Sequence, residues 1–398
     1  MTPTPATTMP EWLVAARSEA YLHKSFNSLS SRERQRDYAR MASLPHNNRS
    51  TSRGRLLRAL LPDNADEHSK YYSVAIGMSP ENQWGNRYSN IEPYDRTRVV
   101  VGKHGGCTCG SGEGKGKGRY FNGSWVRELY GRKFWIATQA PLPETAHAFL
   151  SVIARPIMAP PPSSMVDIPS GSRVRTVVQL TLNQESGRTK AHSYFPYKVG
   201  ATMMVEPEPG CDAPPFRVTL LEQKTIDEAR CLKSKVAFVP DVRDPGEPVV
   251  FTHLLYAAWP DHGVPAKEDQ ASLLNFVRLV DRVNKEPTQG SSSHDLDPPS
   301  MVNCSAGIGR TGTFIALSSL LRAFGFLSPS AGSSSTSRMT AAVNPPYSLL
   351  GPLPKEFQSD PVLQEIDSLR EQRPRMVERI EQAGLIYSIL ELAFSERK

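Results

Sequence analysis

One stretch of this 398-residue chain combines residue types that can do chemistry together: Val302-Asn303-Cys304-Ser305-Ala306-Gly307-Ile308-Gly309-Arg310-Thr311-Gly312. A short apolar segment (Met301, Val302) precedes it and an apolar run from Thr313 follows, so the pattern reads strand, small-residue turn, helix. Glycines at 307 and 309 permit backbone conformations that aim successive N–H groups of Ser305, Ala306, Gly307, Ile308 and Gly309 at one point. The start of a helix adds partial positive charge there. Such a cradle suits a dianion. Cys304 stands at its mouth, where the same field favours the thiolate and makes a nucleophile. Arg310 can fork onto two phosphate oxygens, and Thr311 is expected to offer its hydroxyl to the sulfur.

Elements that could hold this loop alternate along the chain. Residues 174–181, 216–221, 236–239 and 249–257 are rich in Val, Leu, Phe and Thr and are predicted as strands. Apolar residues recur at three to four positions in 272–283, predicting an amphipathic helix. Residues 313–324 are apolar nearly all round, predicting a buried helix. Leu385, Ile386, Ile389, Leu390 and Ala393 make one face of a C-terminal helix, and the charged run from Ser31 to Met41 reads as another. The fold class expected is α/β (α+β), with helices flanking one central, twisted mixed sheet. Low-complexity Gly, Ser and Pro tracts at 104–118, 159–172, 287–300 and 328–360 read as loop insertions in a single domain. The domain is placed at 25–395, after an N-terminal extension at 1–24.

Composition narrows the function. Apolar residues make up 39% of the chain, enough for a core, while 34 prolines and 27 glycines indicate long loops. No run of 18 apolar residues exists, so no membrane span is expected. The first 25 residues lack the apolar stretch of a secretory signal, and five cysteines are too few for a disulfide scaffold; both point to a reducing, cytoplasmic setting. The net charge of +7 is mild for this length and favours acidic partners weakly. The basic clusters Arg49, Arg53, Arg55, Arg58 and Lys115, Lys117, Arg119 are short, so nucleic acid is not an expected partner. Cys107 and Cys109, with His104 nearby, lack a second Cys pair, and a flexible loop is a better reading than a metal site. No cofactor is implied.

The loop at 302–312 resembles the signature loop of the protein tyrosine phosphatases. Trp259-Pro260-Asp261-His262-Gly263-Val264-Pro265 is similar to that family's mobile acid loop, and Asn86-Arg87-Tyr88 to its phosphotyrosine-recognition loop. Tyr120-Phe121-Asn122-Gly123-Ser124 and Ile136-Ala137-Thr138-Gln139-Ala140-Pro141-Leu142-Pro143 resemble two of its structural motifs. The order of motifs is the family's, and the match runs from about Ser25 to about Phe394.

The resemblance implies a non-receptor type enzyme that hydrolyses phosphotyrosine in proteins through a cysteinyl phosphate. Asp261 takes the place of the general acid, which protonates the leaving oxygen and then, ionised, activates water. Tyr88 would stack on the substrate ring and set the pocket depth. Glu185 and Lys190 resemble the pair that braces the loop Arg and contacts the acid loop, and Gln382 one of two water-positioning glutamines.

Three positions depart from the family. Asn303 replaces the usual His before the nucleophile and cannot carry charge, so the thiolate is expected to be less favoured than is usual for the family. Asn90 replaces an Asp that grips substrate backbone, so peptide affinity is expected to drop. Glu378 replaces the first water-positioning glutamine and brings negative charge beside phosphate, so breakdown of the intermediate is expected to slow. These changes keep open a phosphotyrosine-binding pseudophosphatase with weak turnover. A dual-specificity phosphatase fits less well, because the recognition Tyr and the Gln-x-Pro-Leu-Pro motif are present.

Overall fold

The computed structural model describes residues 9–43, 65–102, 118–154, 172–239, 247–261, 263–286, 296–330 and 348–397. Most of the expected insertions, Cys107, Cys109, His104 and His262 lie outside the described residues.

Helices α1 (Glu11–Ala15), α2 (Glu19–Ala42) and α3 (Ala65–Tyr71) precede the sheet. The strands follow in chain order: β1 (Gly123–Arg127), β2 (Phe134–Thr138), β3 (Thr176–Gln179), β4 (Gln184–Glu185), β5 (Arg188–Thr189), β6 (Thr202–Val205), β7 (Phe216–Ile226), β8 (Cys231–Val239), β9 (Val249–Tyr256) and β10 (Ser300–Asn303). Between and after them lie α4 (Ala146–Ala154), α5 (Gln270–Lys285), α6 (Gly309–Ala323), α7 (Pro361–Gln372) and α8 (Ile380–Ser395). Eight strands form one sheet in the order β1-β2-β10-β3-β9-β8-β7-β6, and β4-β5 is a separate hairpin. The centre, β2-β10-β3-β9, is parallel, and the flanking pairs are antiparallel. This is the mixed α/β sheet that the sequence pattern predicts.

A parallel strand must be covered on both faces, and β10 is. One face joins the cluster of Leu254, Phe276, Phe314 and Leu390; the other joins Ile136, Phe149, Val177 and Phe251. The C-terminal ends of β10 and β3 therefore emerge together from the sheet, next to the N-terminus of the buried α6. Ligands of open parallel sheets bind at such a point.

Two expected boundaries are corrected. Residue 24 falls inside α2, and Leu13 and Ala16 belong to the main core cluster, so 9–24 is packed onto the domain and is not an extension. The tract 328–360 is not wholly an open insertion: Leu353 and Phe357 are buried in the same cluster, and Asp360 caps α7 by accepting from Val362 and Leu363 N–H. The cap, with Pro361 at the first helical position, is a strong helix start.

Candidate active site

Cys304 follows the last residue of β10, and α6 begins at Gly309. Every carbonyl between them is bonded away from the loop's concave side. Cys304 O accepts from Asn303 Nδ2 (3.1 Å) and Ser305 O from Ala140 N (3.0 Å). Ala306 O and Gly307 O accept from Arg373 (3.1 and 2.8 Å), and Ile308 O from Gly312 N (2.8 Å) and Val377 N (3.3 Å). With the carbonyls turned outward, the amides turn in, and Gly307 N donates to Cys304 Sγ at 3.2 Å. Gly307 has φ +72°, and a Cβ there would lie 2.1 Å from Thr138 O, so this position requires glycine.

Arg310 reaches back over the loop. Its guanidinium pairs bidentately with Glu185 (2.8 and 2.9 Å) and donates to Leu180 O (3.0 Å). It also donates to the carbonyls of Pro260 (2.8 Å) and Asp261 (3.1 Å), docking the acid loop on the clamp. Trp259 anchors the base of that loop in the core, 3% exposed. Lys190 Nζ lies 2.6 Å from Asp261 Oδ1. Desolvation works to raise the Asp261 carboxyl, but bonding and charge from Lys190, with Ser186 and Glu185, hold it below the ordinary aspartate value.

The recognition segment sits across the pocket. Ser305 Oγ donates to Lys190 O (2.8 Å), so it accepts from the Tyr88 hydroxyl (2.8 Å). Two motifs from the sequence hold this segment in place. Gln139 Oε1 accepts from Arg87 N, and Gln139 Nε2 donates to Gly85 O, both at 2.8 Å. Asn86 Oδ1 accepts from the Tyr120 hydroxyl (2.6 Å) and Asn122 Nδ2 (2.8 Å).

These groups enclose a pocket of about 330 Å³ with Cys304 in its lining. Tyr88, Asn90, Glu185, Lys190, Asp261, Arg310 and Gln382 all line it, as do Ser305, Ala306, Ile308, Gly309, Glu378 and Arg379. Gln382 lies against Gly309, where a Cβ would meet its Nε2 at 2.7 Å. One expectation fails. Thr311 does not offer its hydroxyl to the sulfur: Oγ1 is buried and has no hydrogen-bond partner among the described residues. Two groups escaped the sequence reading. Arg373 and Val377 come from the turn after α7, and both act on loop carbonyls. A guanidinium that works by bonding backbone leaves no pattern in sequence beyond one Arg among many.

A thiol under converging amides, a bidentately paired guanidinium and an aspartate carboxyl on an adjoining loop thus line one pocket. The family model for the protein-tyrosine phosphatases matches residues 82–159 and 165–325, more than half the chain. The chain belongs to the protein tyrosine phosphatase family. It is similar to receptor-type tyrosine-protein phosphatase H of Homo sapiens, 32% identical over 255 residues, which are 63% of this chain and 18% of that protein. It is also similar to tyrosine-protein phosphatase non-receptor type 20 of Mus musculus, 29% identical over 61% of this chain and 44% of that one. Non-receptor type 13 of Mus musculus is 28% identical over 65% of this chain and 8% of its own length. The chain thus spans less than half the length of these relatives. No helix among the described residues is long and apolar enough to cross a membrane.

Proposed function

We propose that this chain hydrolyses phosphotyrosine in proteins. The observation that carries the reading is the convergence of Cys304, Arg310 and Asp261 on one pocket, with a loop amide already bonded to the sulfur. The Cys304 thiolate attacks phosphorus and the P–O(aryl) bond breaks. Asp261 gives its proton to the departing phenolate oxygen, and loop amides with Arg310 hold the equatorial oxygens. Water then attacks the cysteinyl phosphate, its proton passes to Asp261, and the thiolate leaves. Arg310 Nη2 is shared by Glu185 and the acid-loop carbonyls, so phosphate binding and loop docking use the same group. Lys190 favours ionised Asp261 in the empty site; an arriving phosphate dianion favours the protonated acid. The enzyme needs a free thiol, which suits a reducing compartment such as the cytoplasm.

A second reading is a phosphotyrosine binder with weak turnover. Glu378 in the pocket, with uncharged Asn303 behind the nucleophile, favours it. Hydrolysis of p-nitrophenyl phosphate and of a phosphotyrosyl peptide decides between them. Turnover abolished by Cys304→Ser supports the enzyme; retained peptide binding with no turnover in the unaltered chain supports the binder.

A further inference from the structure

The hairpin β4-β5 carries or adjoins two of the pocket's charged groups, yet its own ladder is short. It has two residue pairs, Gln184–Thr189 and Glu185–Arg188, and turns through Ser186 and Gly187 with positive φ (49° and 74°). Gln184, Ser186, Gly187, Arg188 and Thr189 are exposed, and Glu185 is buried. A two-stranded ladder of this length is marginal on its own in water. Glu185 and Lys190 nonetheless meet Arg310 and Asp261 at 2.8 and 2.6 Å. Their placement has to come from the neck, where the chain leaves β3.

Asn183 stands at that neck. Its backbone O accepts from Lys190 N (2.9 Å) and Ala191 N (3.4 Å), closing the hairpin at its base. Its side chain joins a run of polar groups that reaches into the sheet. Gln179, the last residue of β3, donates through Nε2 to Thr181 O (2.8 Å) and Asn183 Oδ1 (3.0 Å). Both amide protons of Gln179 are thereby used, so its Oε1 accepts from Nε2 of His253 on β9 (3.1 Å). Asn183 Nδ2 donates outward to Ser193 Oγ (2.9 Å) and the Tyr197 hydroxyl (3.4 Å), and Ser193 Oγ donates to the same hydroxyl. One orientation of each amide satisfies the whole run, and a satisfied polar network is rigid. Gln179 and His253 are buried. Burial pushes the imidazole down to about 3, so His253 stays neutral at neutral pH. Strand β9 ends at Tyr256, just ahead of Trp259. The run therefore ties the strand that feeds the acid loop to the hairpin on which that loop's aspartate rests.

We propose that Asn183, oriented by Gln179 and His253, is a positioning residue: it fixes the hairpin so that Glu185 meets Arg310 and Lys190 meets Asp261. Its part in turnover rests on the phosphatase reading; its part in holding the hairpin does not.

Two measurements on the full chain test this. Hydrogen exchange of peptides spanning 184–190, read by mass spectrometry, needs no turnover. In Asn183→Leu, which keeps the bulk and removes the amide, exchange there speeds up by about tenfold, while exchange in α6 stays as it was. On p-nitrophenyl phosphate, kcat falls by about tenfold. In a Lys190→Met background the same change costs only about threefold, because one group that it places is gone. A side chain needed only for folding would lower the melting temperature, and the two losses would multiply in full. Unchanged exchange at 184–190 in a folded Asn183→Leu overturns the assignment, whether or not the chain proves to be an active phosphatase. Faster exchange with wild-type kcat, or the full tenfold loss in the Lys190→Met background, overturns it too. Faster exchange in a chain that shows no turnover removes the phosphatase reading and keeps the clamp on the hairpin. If Asn183→Leu does not fold, Ser193→Ala at the outer end decides: exchange about threefold faster supports the assignment, and an unchanged rate overturns it.

Discussion

The cluster around Arg36 and the pocket around Cys304 are both built from charge held out of water, yet they differ in what the charged groups face. Arg36, fully buried, bonds Glu371 through Nε (3.0 Å) and Nη2 (2.7 Å), Asp367 through Nη2 (2.6 Å) and Glu33 through Nη1 (3.4 Å). Glu371 takes further bonds from the Tyr72 hydroxyl and Ser348. The acidic partners surround the cation, which is fully buried among them. In the pocket the pairs Arg310–Glu185 and Lys190–Asp261 stop short of saturation: loop amides face about 330 Å³ of open space. What separates structure from site is donors left pointing at a void, not the amount of charge. Helix α7 serves both, with Asp367 and Glu371 gripping α2 and Arg373 just past its end gripping the loop.

The largest effect should come from opening the closed cluster. Arg36→Met leaves Asp367 and Glu371 facing each other without their shared cation, and unfolding stability should fall by about 3–5 kcal/mol. Urea denaturation checks this; a loss under about 1 kcal/mol would mean that the cluster contributes no more than exposed pairs do.

Next is a buried carboxyl that has no cation bonded to it among the described residues. Glu365 accepts from Leu129 N and Ser319 Oγ, and desolvation pushes it up to about 8. A carboxyl raised in the folded state stabilises fully below the unfolded value of 4.5 and loses that contribution as pH rises toward 8. Stability should decline between pH 5 and 8 by at most about 1.4 kcal/mol per unit. Glu365→Gln should flatten that slope in thermal melts; an unchanged slope would assign it to other groups.

Smaller effects belong to the pocket. Lys190→Met removes the group that keeps Asp261 ionised. The acid form of Asp261 should then persist to higher pH, and the alkaline limb of kcat should move up by about one unit. A limb that stays in place would detach Asp261 from proton donation. Glu378→Gln removes negative charge from the rim and should speed breakdown of the cysteinyl phosphate severalfold, shrinking any burst in rapid mixing. A slower breakdown would show that Glu378 helps the attacking water.

The sequence made the pocket legible because its chemistry is local. Cys304, Gly307 and Arg310 sit within seven residues, and β10 and α6 announce themselves by apolar runs. Asp261, Tyr88, Glu185 and Lys190 are scattered along the chain, and only the family resemblance links them. Helix α2 shows in the sequence only from Ser31, because its buried face includes Arg32, Arg36 and Arg40, so no apolar stripe marks it. Strands β1 and β2 are five residues each and buried nearly throughout, too short to show a period. Thr311 shows the converse limit: residue type suggests a hydroxyl for the sulfur, yet its buried Oγ1 has no hydrogen-bond partner among the described residues.

The central claim is that phosphate passes through the sulfur of Cys304. Acid-quenching the chain during turnover of p-nitrophenyl phosphate, then sequencing its peptides by mass spectrometry, tests that claim directly. A phosphoryl group on the Cys304 peptide, lost together with turnover in Cys304→Ser, is the expected result. Undiminished hydrolysis by Cys304→Ser would contradict it.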